Sequence, residues 1–139
     1  MRAGRAAPIL AVALGGAVGA VARHGLAVAV PHRAGEFPWA TLVTNLAGCV
    51  LIGALMVLLT ETTAPPHRLV RPFLGVGVLG GFTTFSTYAV EVQQLLETGH
   101  PWVAAAYLTG TVTGALAAVQ VGIVTARVIA RARRRKGSG

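Results

Sequence analysis

Charge is what this sequence has least of. Only 12% of its 139 residues are Asp, Glu, Lys or Arg, about half the share of an average soluble domain. Apolar residues make up 54%, more than a soluble chain of this size can keep from water. Lipid is the solvent that fits. A single cysteine, Cys49, cannot close an internal disulfide; inside an apolar stretch such a thiol acts as a small packing group. His24, His32, His67 and His100 are scattered without ligand spacing, and neither a Walker loop nor a metal-hydrolase motif occurs. Nothing in the sequence points to an enzyme. The net charge of +8 raises nucleic acid as a partner, but the aromatic interleaving of a single-strand binder is missing. Half of the basic residues (Arg127, Arg131, Arg133, Arg134, Arg135, Lys136) instead crowd the end of the chain behind an apolar run. That placement suits anionic lipid, at about 1 kcal/mol per residue near the surface.

What the sequence has is four apolar stretches, at about 8–30, 39–59, 70–96 and 102–129. Each approaches the roughly 20 residues needed to cross a hydrocarbon core. The expected architecture is therefore a single all-α integral membrane domain over residues 1–139, with four transmembrane helices and a basic cytoplasmic tail from 130. The loops between carry Pro31 and Pro38, Pro65 and Pro66, and Gly99 with Pro101, residues that end helices. Trp39 and Trp102 open their segments, where interfacial aromatics belong. Arg2, Arg5 and the Ala20-Val21-Ala22 pattern resemble a signal peptide, but a first transmembrane helix is the preferred reading, because cleavage would discard its Gly-rich face. Arg2, Arg5, Arg68, Arg71 and the tail fall on one side of the membrane, and Arg33, Glu36 and Glu97 on the other. This bias predicts cytoplasmic termini in the cell membrane. Glycines inside the segments (Gly15, Gly16, Gly19, Gly48, Gly53, Gly110, Gly114) mark close helix packing.

The informative stretch runs from Gly75 to Thr87, GVGVLGGFTTFST. Its glycines cost helix at ~1 kcal/mol each, so the third helix is expected to break there. Irregular backbone at membrane depth persists only where protein buries it or water lines it, and it can then coordinate an ion through carbonyls or N–H groups. A kinked packing helix with back-bonded hydroxyls is the alternative. Phe82 and Phe85 lie three apart, on one face if a helix restarts there; they either pack or present electropositive ring edges to an anion. Asn45 is the sole asparagine and either joins helices or donates to a passing anion. Glu91 is an acid near the end of a transmembrane segment, a functional candidate by its nature. Arg23 either snorkels or pairs with such an acid. Thr109, Thr111 and Thr113 are candidate polar lining of the fourth helix.

Together these residues resemble the fluoride-channel family known as Fluc or CrcB. The run Gly15-Gly16-Ala17-Val18-Gly19-Ala20-Val21-Ala22-Arg23 is similar to its first-helix signature, and Thr41-Leu42-Val43-Thr44-Asn45-Leu46-Ala47-Gly48 to its second. Gly80-Gly81-Phe82-Thr83-Thr84-Phe85-Ser86-Thr87 with Glu91 is similar to its most distinctive run. The resemblance implies an antiparallel dimer of four-helix protomers that passes fluoride out of the cell. It implies a structural sodium ion held by the Gly80 and Thr83 carbonyls. It gives the fluoride path to Asn45, Phe82, Phe85, Glu91 and Thr111, and structural roles to Arg23, Gly16 and Gly19. Ala40 stands where the family often has glycine. The strong Arg bias also departs from what opposed identical protomers need, so the partner is a second copy or a homologous chain of opposite bias. The rivals are a small proton-coupled drug exporter and a non-selective structural membrane protein. The exporter needs an acid in its first helix, and residues 8–30 contain none.

Overall fold

The computed structural model describes residues 3–33, 35–61 and 66–136. Arg2, Pro65 and the last three residues of the expected tail lie outside them. The described chain is helical. Helix α1 spans Ala3–Ala29 and α2 Trp39–Thr60. The third span, Arg71–Glu97, is composite. It begins as a π-wound stretch, Arg71–Leu79, and passes through the short α3, Gly80–Phe82, to α4, Phe85–Glu97. Helix α5 spans Pro101–Lys136. Four spans are thus long and apolar enough to cross a membrane, and the chain is a multi-pass membrane protein.

Two boundaries differ from expectation. Helix α1 starts at Ala3 rather than at Pro8, with Pro8 inside it. The proline is in the second turn, where its missing N–H forfeits one bond to the first turn. The expected tail from residue 130 is helical as far as Lys136, because Ala, Arg and Lys propagate helix well. At ~1.5 Å per residue the 36 residues of α5 exceed the ~30 Å core.

Pairing is set by small residues. A Cβ on Gly15 or Gly19 would run into the Phe73 or Val78 carbonyl, and one on Gly81 would strike the Gly16 backbone. This glycine seam lays α1 directly against the π-wound stretch and α3. Gly16 itself has open space at its Cβ position; of the three glycines expected to pack, Gly15 and Gly19 have no room for a side chain, and Gly16 is the surface Gly81 rests on. Across the molecule, Gly53 faces the Val119 carbonyl and Gly122 the Val50 carbonyl, which brings α2 and α5 together. Large apolar side chains such as Ile9, Leu14 and Leu116 stay outward, each more than 60% exposed, as lipid permits.

The turn between α4 and α5 fixes the site. Thr98 N–H donates to the Gln94 carbonyl, Gly99 N–H to Leu96 and His100 N–H to Leu95. Gly99 takes a left-handed φ of 77°. This is a Schellman closure, and Pro101 then starts α5 where a missing N–H costs nothing. Glu91 and Tyr107 lie equally far from the turn on antiparallel helices, so they meet at one depth. At the opposite end, Arg127 grips Glu61 through Nε at 3.0 and 3.1 Å. The hydrogen bond and charge of Arg127 hold the Glu61 carboxyl below its ordinary range.

Gly19→Ala is expected to lower the melting temperature of the purified protein, since forcing a methyl against backbone costs about 1–3 kcal/mol. Gly25→Ala, whose Cβ meets nothing within 4 Å, is expected to leave it unchanged or raise it. Equal effects of the two in thermal unfolding would contradict the seam.

Candidate functional site

Halfway along the third span the backbone leaves the helix for two residues. Thr83 (φ −77°, ψ 155°) and Thr84 (φ −147°, ψ 122°) are extended. In lipid such backbone needs partners, and one side chain of α2 supplies them. Asn45 donates from Nδ2 to the Thr84 carbonyl at 3.0 Å and accepts from Thr84 N–H on Oδ1 at 2.9 Å. The carboxamide thus replaces both hydrogen bonds that a sheet neighbour would give. The Thr84 hydroxyl caps α4, accepting from Thr87 N–H at 3.2 Å, as N-cap threonines do. Gly48 lies under the Thr83 methyl with no room for a Cβ of its own, which lets α2 come this close.

These substitutions redirect two donors. In a continuous helix Thr84 N–H would serve the Gly80 carbonyl and Thr87 N–H the Thr83 carbonyl. Both are diverted, one to Asn45 and the other to the Thr84 hydroxyl. The Gly81 carbonyl is taken by Arg23, which donates from Nε at 3.2 Å. Arg23 therefore neither snorkels freely nor pairs with Glu91. Thr83 spends its hydroxyl and its N–H on the Leu79 carbonyl, both at 2.9 Å.

A cavity of about 550 Å³ opens beside the break. Asn45, Gly80, Thr83, Phe85 and Thr111 line it together, five of the residues singled out from sequence, contributed by α2, the third span and α5. Its remaining wall is mostly apolar and includes Cys49 and Tyr88. Thr111 is 8% exposed, and its hydroxyl has no hydrogen-bond partner among the described residues. Such an atom is uncommon in a folded protein. Thr109 and Thr113 instead bond back to the Ala105 and Thr109 carbonyls, so they are spent locally. Phe85 is 80% exposed, and its ring centroid lies 5.8 Å from that of Tyr88. Phe82 ends α3 and Phe85 begins α4. The shared helical face expected of this pair is therefore absent: two extended residues separate them, and Phe82 does not line the cavity.

Glu91 is elsewhere, toward the end of the span. It is 6% exposed. Thr41 Oγ1 donates to its Oε1 and Tyr107 OH to its Oε2, each at 2.7 Å. His32 Nε2 stands 3.9 Å from Oε1. Tyr107 is wholly buried, edge-on to Tyr88 and Phe37. Thr41, Tyr107, Thr84 and His32 were not assigned from sequence. A signal existed for one of them: a lone intramembrane acid needs donors, and Tyr107 mirrors it across the Gly99 turn. A second cavity, about 230 Å³, lies between α1 and the break and is lined by Arg23, His24, Thr41, Thr44, Thr84 and Thr87, among others.

Removing the carboxamide should be costly. Asn45→Ala strands both backbone groups of Thr84, at about 1–3 kcal/mol for each unsatisfied group. A drop in unfolding midpoint larger than that of Cys49→Ala, a neighbour without such bonds, is expected. Comparable midpoints would show that Asn45 does not hold the break.

The chain resembles proteins named fluoride-specific ion channel FluC 2 from several organisms. It is 54% identical over 108 residues to that of Streptomyces avermitilis, covering 78% of this chain and 68% of the relative. It is 52% identical over 127 residues to that of Nocardia farcinica, covering 91% and 90%. It is 46% identical over 131 residues to that of Thermobifida fusca, covering 93% and 96%. The family described as CrcB-like protein, Camphor Resistance (CrcB), matches residues 10–123, a stretch containing the glycine seam, the Asn45–Thr84 pair, Glu91 and Thr111. The chain belongs to this CrcB-like family.

Proposed function

We propose that this protein is a fluoride-specific channel that lets cytoplasmic fluoride leave the cell passively and so confers fluoride resistance. The observation that carries the reading is the unpartnered Thr111 hydroxyl beside a cavity that also holds Asn45 and Phe85 and has no charged side chain in its wall. Fluoride is small and tightly hydrated. A selective path must replace its water with several donors, yet hold the ion weakly enough to release it. A hydroxyl, the second N–H of the Asn45 amide and phenyl edges meet both needs. A fixed cation in the wall would meet only the first. Phe82 joins the path in this reading from across the break, and Glu91, held by Thr41 and Tyr107, forms its mouth on the side away from the termini.

In this reading the exposed Phe85 ring and the cavity beside it support a second protomer. The reading is an antiparallel dimer in the cell membrane, with this chain's termini cytoplasmic. Its partner is a second copy or a homologous chain of opposite charge bias. The diverted donors of Thr84 and Thr87 support a structural sodium ion at the centre. Gly80 and Thr83 would hold it through their carbonyls, hard neutral oxygens suited to a hard cation. When bound, the ion supplies fixed positive charge that locks the break.

Proteoliposomes loaded with fluoride are expected to release it through the assembled protein, both chains included if two are needed, while chloride-loaded ones do not. Phe82→Ile or Phe85→Ile should cut the rate roughly tenfold, about 1.4 kcal/mol of barrier, with the dimer intact. Comparable chloride release would contradict selectivity. Unchanged rates in both variants would remove the phenyl edges from the path. Fluoride release by this chain expressed alone would rule out the need for a second gene product.

A further inference from the structure

Glu91 poses a problem for an anion path that no other residue of the site solves. Its two oxygens accept from two neutral hydroxyls, those of Thr41 and Tyr107. A carboxylate is an acceptor only, so these bonds fix its place without cancelling its charge. A carboxylate at the mouth repels the ion that must pass it. Among the described residues, the one side chain within ion-pair reach that can carry positive charge is His32, 3.9 Å away, with 30% of its side chain exposed where Glu91 shows 8%.

His32 comes from the loop after α1, just past Pro31 and before the turn at Gly35, whose φ is 87°. A side chain at Gly35 would run into the His100 ring, so the loop lies against the α4–α5 turn. That packing delivers His32 to Glu91. The charged and titratable neighbours are few. From α4 there is Glu91, and from α5 Tyr107. The loop itself holds Arg33, whose N–H donates to Glu36 at 3.0 Å, and the α4–α5 turn holds His100, within 3.2 Å of the Thr98 hydroxyl. On α1, Arg23 and His24 line the small cavity that reaches Thr41, and Arg23 is engaged with the Gly81 carbonyl.

We propose that His32 is a positioning residue of the fluoride path: its imidazolium is the removable counter-charge of Glu91, so the mouth passes fluoride faster when His32 is protonated. This rests on the channel reading above. Histidine is the side chain suited to carry a charge that can be gained and lost under physiological conditions. With His32 protonated the His32–Glu91 pair is neutral overall and the mouth admits the anion. With His32 neutral the Glu91 charge stands uncompensated. The effect is one of electrostatic steering at an entrance. It therefore alters rate while leaving selectivity to the cavity beyond.

The test is fluoride efflux from proteoliposomes buffered identically on both sides at pH 5.5 and at pH 7.5, corrected for protein-free liposomes. Wild type should be faster at pH 5.5, roughly threefold or more. His32→Gln should be slow and flat between the two values. His32→Lys, cationic at both, should be fast and flat, which a merely structural histidine would not produce. A wild-type rate that is flat, a slope retained in His32→Gln, or a slow His32→Lys overturns the inference while leaving the channel reading standing. Absence of fluoride efflux at either pH overturns the channel reading, and the inference with it.

Discussion

One pair of hydrogen bonds supports the rest of this structure: the two between the Asn45 carboxamide and the backbone of Thr84. Two extended residues in mid-membrane are untenable without them, because lipid offers no substitute for a lost helical partner. A carboxamide is suited to the task, since it offers a donor and an acceptor side by side at the spacing of a peptide group. Once it takes Thr84 N–H and the Thr84 hydroxyl takes Thr87 N–H, the donors that would close the Gly80 and Thr83 carbonyls are gone, Phe85 is released to begin a new helix, and a cavity remains beside it.

The glycine seam is the second requirement. Asn45 reaches the break only because Gly48 carries no side chain beneath Thr83. The break stays in register with α1 because Gly15, Gly19, Gly77 and Gly81 let two backbones touch. Small residues do here what apolar burial does in water. Polar groups, freed from maintaining the fold elsewhere, gather in two places: the mid-membrane cavity with Thr111, and the Glu91 cluster near the α4–α5 turn.

Much of this was legible in the residues. The four spans follow from hydropathy and length, and the Gly75–Thr87 composition points to trouble for a helix. Asn45 stood out because a lone carboxamide in lipid must have partners. Its partner was not legible, since two readings of one amide, helix joining or ion donation, are equal until a backbone is seen beside it. The structure gives it the first and leaves one N–H for the second. The Phe82–Phe85 spacing gives one face only if helix runs unbroken from Phe82, and the break falls between them. Helix α5 ran past its expected end because a hydropathy window stops where charge begins, whereas helix propensity does not. The sequence does not mark Thr41 and Tyr107, because a donor's role is defined by what it meets across the bundle, and single-sequence spacing carries little of that.

The central claim is that the break is an ion-holding device and more than a kink, so the most direct measurement is an experimental structure of the assembled protein in sodium-containing medium. The account predicts density for a cation bridging the Gly80 and Thr83 carbonyls, with Asn45 still paired to Thr84. Carbonyls closed by Thr84 and Thr87 N–H groups in a continuous helix, or facing only apolar side chains, would contradict it.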